Sequence, residues 1–360
     1  MSDEAHIAHA LRLARRGLYT TDPNPRVGCV VVNEGVTVGE GWHQRAGEPH
    51  AEINALRAAG QKARGATVFV TLEPCCHHGR TPPCSDALIE ANPSRVVVAT
   101  EDPNPKVAGQ GLTALRQAGI AVDVGILQEQ ARALNPGFES RMRRQRPFVR
   151  AKLAVSLDGR TAMASGESKW ITGDAAWADV QRWRARSSAI LCGIGTVLQD
   201  DPSLTVRAFD IGRQPLRVVT DSNLRTPSSA KLLAHKGALI VTACDDGERA
   251  AQLYQVGAEV LSLPTADGAV DLAALLQHLA GREINEVLLE SGPTLCGAML
   301  AAKLIDELVL YLAPSLMGSE ARGMFNLSGV QYMADRTTLE IDDVRAVGDD
   351  WRIICRPVYL

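Results

Sequence analysis

His50-Ala51-Glu52 sets an imidazole and a carboxylate two residues apart. Further along, Cys75 and Cys84 bracket the segment Pro74-Cys75-Cys76-His77-His78-Gly79-Arg80-Thr81-Pro82-Pro83-Cys84. Two thiolates and one imidazole make three protein ligands for a zinc ion, which leaves one tetrahedral position for water, as a catalytic zinc requires. Zinc brings the pKa of such a water to about 7, so hydroxide is available at neutral pH. A carboxylate outside the ligand set must then carry protons between hydroxide, a ring nitrogen and a leaving amine. His50, Cys75 and Cys84 are the expected metal ligands, and Glu52 the expected catalytic acid and base.

His-x-Glu followed by Pro-Cys-x-x-Cys is the signature of zinc-dependent deamination of a nitrogen heterocycle. The spacing departs from it in one place, because eight residues, 76–83, separate the chosen cysteines. Adjacent Cys75 and Cys76 would rarely meet one tetrahedral ion comfortably. Gly79, Pro82 and Pro83 support a looped excursion that returns Cys84 to a helix start. The alternative is a closed structural site with His77 or His78 as fourth ligand, but it leaves His-Ala-Glu unexplained. Ordinary core cysteines are a third reading.

The elements that must position these groups alternate between strand and helix patterns. Ile7, Ala10, Leu11 and Ala14 recur at helical spacing behind a Ser2-Asp3 cap. Strands are expected at 27–32, 36–41, 67–71, 95–100 and 121–124, and helices at 50–59, 85–91 and 109–118. A boundary falls near 140–150, where Arg141, Arg143, Arg144 and Arg146 precede Pro147; that run reads as a solvated linker or helix end. Beyond it, strands are expected at 148–155, 189–192, 216–220, 238–242 and 286–289, with helices at 174–186, 273–279 and 294–302. Three consecutive strands at 308–312, 339–347 and 351–358 then point to a mixed sheet with an antiparallel end. Alternation of this kind implies an α/β layer structure with much parallel pairing.

The 360 residues are comfortable for two domains, and 46% hydrophobic residues supply two cores. A formal charge of -3 gives no broad basic field, so nucleic-acid binding is not expected. Met1-Ser2-Asp3-Glu4 is polar, and no apolar stretch is long enough to span a bilayer, so a cytoplasmic protein without membrane partners is expected. Five of the eight cysteines are scattered and three cluster at 75–84, which fits a metal site better than a disulfide set.

At these residues the chain resembles the bifunctional deaminase/reductases of bacterial riboflavin biosynthesis. The resemblance rests on His50-Ala51-Glu52 and the long Pro74-to-Cys84 element. It extends to Thr21-Asp22-Pro23-Asn24-Pro25-Arg26-Val27-Gly28, Glu101-Asp102-Pro103-Asn104-Pro105 and Lys152-Leu153-Ala154-Val155-Ser156-Leu157-Asp158-Gly159-Arg160. Ser168-Lys169-Trp170-Ile171-Thr172-Gly173, Asp200-Asp201-Pro202-Ser203-Leu204-Thr205-Val206-Arg207 and Glu290-Ser291-Gly292-Pro293-Thr294-Leu295 complete it. It implies a cytidine-deaminase-like three-layer α/β/α domain over 1–145 and a dihydrofolate-reductase-like α/β domain over 146–360. It also implies two consecutive reactions on phosphoribosylaminopyrimidines. Zinc hydroxide removes an amino group of a diaminopyrimidinone, and NADPH then reduces its ribosyl group to ribityl. A homo-oligomer, dimer or tetramer, is expected.

In the first site Asn24, His43, Arg80 and Asn104 are expected to hold the pyrimidine and its phosphate. Asn presents both donor and acceptor to a ring edge, although Asn24 and Asn104 between prolines also read as turn formers. His43 also reads as a satisfied polar residue. In the second, Gly292-Pro293-Thr294-Leu295-Cys296-Gly297-Ala298 lies between a strand and a helix, where backbone N–H groups favour phosphate. The resemblance adds Ala154, Trp170, Thr196, Asp200 and Ser222 as cofactor contacts. It gives Lys152, Ser168, Arg184, Leu204, Arg207 and Glu290 as substrate contacts. Arg184 and Arg207 suit a phosphate, since a guanidinium fork binds it bidentately; the plainer reading is a salt bridge. Lys152, Asp201 and Glu290 are candidates for proton transfer near the sugar oxygen. The rival functions are a nucleoside or nucleic-acid base deaminase with an accessory domain, and a zinc-stabilised interaction protein.

Overall fold

The computed structural model describes residues 1–76 and 83–359. Arg80, expected at a phosphate, lies outside the described residues, as do His77 and His78. The chain divides into two compact units, Met1–Arg146 and Pro147–Leu360.

In the first unit the chain runs α1 (Asp3–Ala14), β1 (Gly28–Asn33), β2 (Val36–Trp42), α2 (Ala51–Ala59), β3 (Thr67–Val70), α3 (Cys84–Ala91), β4 (Arg95–Val98), α4 (Gln110–Gln117), β5 (Ala121–Val124), α5 (Gln128–Leu134) and α6 (Pro136–Arg144). The sheet order is β2-β1-β3-β4-β5. β1 is antiparallel to β2 and β3, and β3, β4 and β5 are parallel. Strand side chains alternate between faces. Cys29 and Val31 therefore join Ala51, Ala55, Leu88 and Leu112 in one core, while Val30 and Val32 join Ile7, Ala10, Leu11 and Ala131 in another. The result is three layers, α/β/α. Ser2 caps α1, its side chain accepting from the Ala5 N–H. The arginine run closes α6: Arg141, Arg143 and Arg144 occupy its last turn, where positive charge offsets the helix dipole.

One close approach sets the site. A Cβ on Gly41 would stand 2.4 Å from the Ala51 carbonyl oxygen, and one on Gly39 2.3 Å from that of Ala55. Only glycines let α2, which buries Ala51, Ala55 and Ala59, lie flush on β2.

In the second unit come β6 (Phe148–Ser156), β7 (Arg160–Ala162), α7 (Asp174–Arg186), β8 (Ala189–Gly193), α8 (Ile194–Asp200), β9 (Leu216–Thr220), β10 (Ala238–Thr242), α9 (Gly247–Gln255), β11 (Glu259–Ser262), α10 (Leu272–Gly281), β12 (Glu286–Leu289), α11 (Pro293–Ala301), β13 (Glu307–Ala313), β14 (Arg322–Gly323), β15 (Thr338–Val347) and β16 (Asp350–Val358). The main sheet runs β11-β10-β9-β8-β12-β6-β13-β16-β15. It is parallel from β11 to β13 and antiparallel through β16 and β15, the mixed sheet that the strand pattern predicts. β7 and β14 form a separate ribbon. α9 buries only Leu253, and β11 has no fully buried residue; the expected helices and strands include neither.

Candidate active sites

The first site sits where two helices begin. His50 is the N-cap residue of α2 in extended conformation, Glu52 lies in the first turn, and Cys84 opens α3 behind Pro83. Cys75 arrives on the segment that follows β3. Cys84 Sγ lies 3.3 Å and Cys75 Sγ 3.6 Å from His50 Nδ1. The Cys84 backbone N–H donates to Cys75 Sγ at 3.3 Å. All three ligand atoms fall within 4.8 Å of one another. With zinc–ligand bonds of about 2.0–2.3 Å, the edges of a tetrahedron are about 3.5 Å, so the donor set and its spacing fit zinc with one position left to substrate chemistry.

Electrostatics point the same way. Glu52 is 3% exposed. Burial pushes its carboxyl up to about 7, against the pull of His50. The side-chain hydrogen bond from Cys84 holds the Cys75 thiol down to about 4, while the same bond and burial push Cys84 up. Two sulfurs share a proton beside His50, whose pKa the hydrogen bond to Cys75 raises, and these are protons that a metal ion displaces on binding.

Around it, His43 is buried and both ring nitrogens are engaged. Nδ1 faces the Pro49 carbonyl oxygen at 3.2 Å and Nε2 faces Asn24 Nδ2 at 3.1 Å. A carbonyl only accepts, so Nδ1 carries the proton and Nε2 accepts from the Asn24 amide. His43 therefore orients Asn24, in keeping with the satisfied-polar reading. Asn104 turns its own loop, with Oδ1 accepting from the Lys106 N–H at 3.1 Å.

A cleft of about 1060 Å³ opens in the second unit over the C-terminal ends of β6, β12, β8 and β9. Ligands of parallel α/β sheets sit at such ends. Lys152, Ala154, Ser168, Arg184, Thr196, Asp200, Leu204, Ser222, Glu290, Gly292, Pro293, Thr294, Leu295 and Ala298 line it. At its centre Arg184 donates from Nε to Glu290 Oε1 at 2.6 Å and from Nη2 to Oε2 at 2.9 Å. The Arg184 fork is thus engaged by Glu290 in a salt bridge, the plainer of the two readings, and Arg184 lines the cleft. Burial works to raise the Glu290 carboxyl, but Arg184, Lys152 and Arg207 outweigh it and hold the pKa below its ordinary value. Burial also pushes the Lys152 ammonium down, with Glu290 opposing. The backbone at Gly292 and Gly195 is open on its Cβ side, which fits a phosphate-bearing cofactor such as NADPH.

Several residues expected as contacts are not among those that line the cleft. Cys296 is a core residue, and Gly297 packs against Asn326, whose carbonyl oxygen a Cβ would meet at 2.2 Å. Trp170 is exposed and does not line the cleft. Arg207 lies over the Trp177 ring at 5.7 Å. Asp201, at the left-handed end of α8, accepts from the Lys231 N–H at 2.8 Å and is not among the residues that line the cleft. Gln199, Arg322 and Asn326 also line the cleft, and no local motif singles them out.

Residues 1–100 match the family described as cytidine and deoxycytidylate deaminase zinc-binding region, and residues 147–353 match the RibD C-terminal domain. The riboflavin biosynthesis protein RibD of Escherichia coli K12 is 49% identical over 362 residues, covering 97% of this chain and 98% of that one. The chain belongs to the RibD family. The RibD of Haemophilus influenzae is 46% identical, covering 99% of this chain and 97% of that one. Among solved structures, Acinetobacter baumannii RibD, form 1, superposes with TM-score 0.91 at 47% identity, over 99% of both chains. A Thermotoga maritima protein named diaminohydroxyphosphoribosylaminopyrimidine deaminase/5-amino-6-(5-phosphoribosylamino)uracil reductase does so with TM-score 0.86 at 33% identity, also over 99% of both. As a RibD, this chain is a bifunctional riboflavin biosynthesis enzyme, a zinc-dependent deaminase and an NADPH-dependent reductase.

Proposed function

We propose that residues 1–145 hydrolytically deaminate 2,5-diamino-6-(5-phosphoribosylamino)pyrimidin-4(3H)-one. Residues 146–360 then reduce the ribosyl group of 5-amino-6-(5-phosphoribosylamino)uracil to ribityl. The observation that carries this reading is the cluster of half-buried His50 and Cys75 with buried Cys84, beside buried Glu52. A separate cleft in the other unit centres on Lys152, Arg184 and Glu290.

When bound, zinc through His50, Cys75 and Cys84 supplies Lewis acidity, and NADPH supplies hydride. Glu52 takes a proton from water and delivers one to the leaving amine, so water enters and ammonia departs. His43 fixes Asn24 toward the pyrimidine edge. In the cleft, Lys152 supplies the proton that accompanies hydride as the sugar ring opens; the Glu290 carboxylate faces its ammonium, and Arg184 holds Glu290 in place. Incubation with the phosphorylated diaminopyrimidinone should give a deaminated product without NADPH and one two hydrogens heavier with it. Reduction of the undeaminated compound ahead of ammonia release would overturn the order.

The same reading takes the enzyme to be a homo-oligomer. Ile341, Val344 and Trp351 pair across the strands with Cys355, Ile353 and Leu312, and so share the face that the core covers elsewhere. All three are at least half exposed, and an apolar stripe continuous with a core fits a second copy. A monomer mass in light scattering would remove this part. A reducing compartment with NADPH, the cytoplasm, suits the free Cys75 and Cys84 thiols. Among the described residues, no helix is long and apolar enough to cross a membrane.

A further inference from the structure

Glu73 stands two residues before the Cys75 ligand and is 3% exposed. It carries no role in the chemistry above. Its carboxylate is filled by main-chain donors. Oε2 accepts from the N–H groups of Asp102 at 3.1 Å and Gly109 at 3.0 Å. Oε1 accepts from those of Gly111 at 2.9 Å and Leu112 at 3.2 Å. The first two donors bracket the loop that carries Asn104, and the last two belong to the first turn of α4. There the carboxylate also meets the positive end of the helix dipole.

Two further observations show how tightly the parts are joined. A Cβ on Gly111 would stand 2.1 Å from the Pro74 carbonyl oxygen, so α4 begins in direct contact with the ligand-bearing segment. The Glu73 backbone N–H donates to the Thr100 carbonyl oxygen at 3.0 Å, which ties the start of the same loop. Asp102 continues the chain of contacts, its Oδ1 accepting from the Asn104 N–H at 2.8 Å.

We propose that Glu73 is a positioning residue of the deaminase site, a clamp that fixes the 102–109 loop and its Asn104 against the segment delivering Cys75. Resting on the deaminase reading and on Asn104 as a substrate contact, this adds a group whose effect passes through the loop. A carboxylate suits the task because four N–H donors need four acceptor sites, and an amide offers acceptors on one atom only. Glu73→Gln turns an amide N–H₂ toward two of the donors and releases one side of the loop. Glu73→Asp keeps the charge with a shorter reach.

The test measures deaminase kcat and KM, bound zinc, and NADPH-dependent reduction of deaminated substrate, all on the full-length enzyme. Glu73→Gln should raise the deaminase KM roughly tenfold, with kcat within about threefold of the parent. Zinc content and reduction should equal the parent's, and Glu73→Asp should recover part of the KM. In an Asn104→Ala background, Glu73→Gln should add little, because both changes act through one loop. Additive effects, a parental KM in either single variant, or loss of zinc in Glu73→Asp would overturn the proposal. Loss of deamination in the parent enzyme would instead fault the deaminase reading.

Discussion

The first unit gathers its reacting groups at the starts of two short helices, whereas the second spreads them along the ends of four strands. In the first, His50, Glu52 and Cys84 are fixed by helix geometry, and the three ligand atoms lie within 4.8 Å of one another. In the second, the central charges already neutralise one another: Glu290 accepts both arms of Arg184 and faces Lys152. A compact set of one imidazole and two thiols suits a single metal ion; a wide cleft with paired charges suits a large organic cofactor. The contrast teaches that the two reactions place different demands on burial. Hydrolysis needs one proton carrier held next to an activated water, while hydride transfer needs room to lay two molecules side by side.

The strongest attack on this contrast is chelation. Removing zinc should abolish deamination and leave reduction of deaminated substrate intact, and equal loss of both would erase the distinction. Next is Glu52→Gln, which should lower deamination about 10³-fold with zinc content unchanged. Deamination at the parental rate would take the proton-carrier role from Glu52. In the cleft, Lys152→Met should slow reduction about 10²-fold with deamination untouched; a variant reducing at full rate would remove Lys152 from the chemistry. The gentlest probe is acid. The Glu290 pKa lies below its ordinary value in the fold, so its stabilisation is complete above the ordinary carboxylate range and is lost as pH falls through the lowered value. Melting temperature should therefore fall with acid more steeply in the parent than in Glu290→Gln, and parallel curves would count against the Arg184 pair.

Much of the first site is legible in the chain because zinc ligation is written in residue types. His50, Glu52 and Cys75 fall within short motifs, and the Pro83-Cys84 step marks the start of α3. Glu73 is less legible. Its only local signal is a charged residue after the apolar run of β3, and its partners lie 29 to 39 residues away. In the second unit the sheet pattern is legible from apolar runs, including the antiparallel end. The cleft is not, because Lys152, Arg184 and Glu290 come together only through the strand order. Asp201 and Trp170 do not line the cleft, and both stand on a left-handed backbone, φ 43° and 65°, a local turn that residue type alone does not announce.

Gly39 and Gly41 touch no ligand and carry no charge, yet any side chain there would lift α2 from β2 and carry His50 and Glu52 with it. In a saturation library selected for growth without added riboflavin, these two positions should tolerate as few replacements as the zinc ligands. Genetic depletion at a site is therefore no guide to whether it performs chemistry. For these glycines, the distinction would come from structure-guided measurement of where the helix rests.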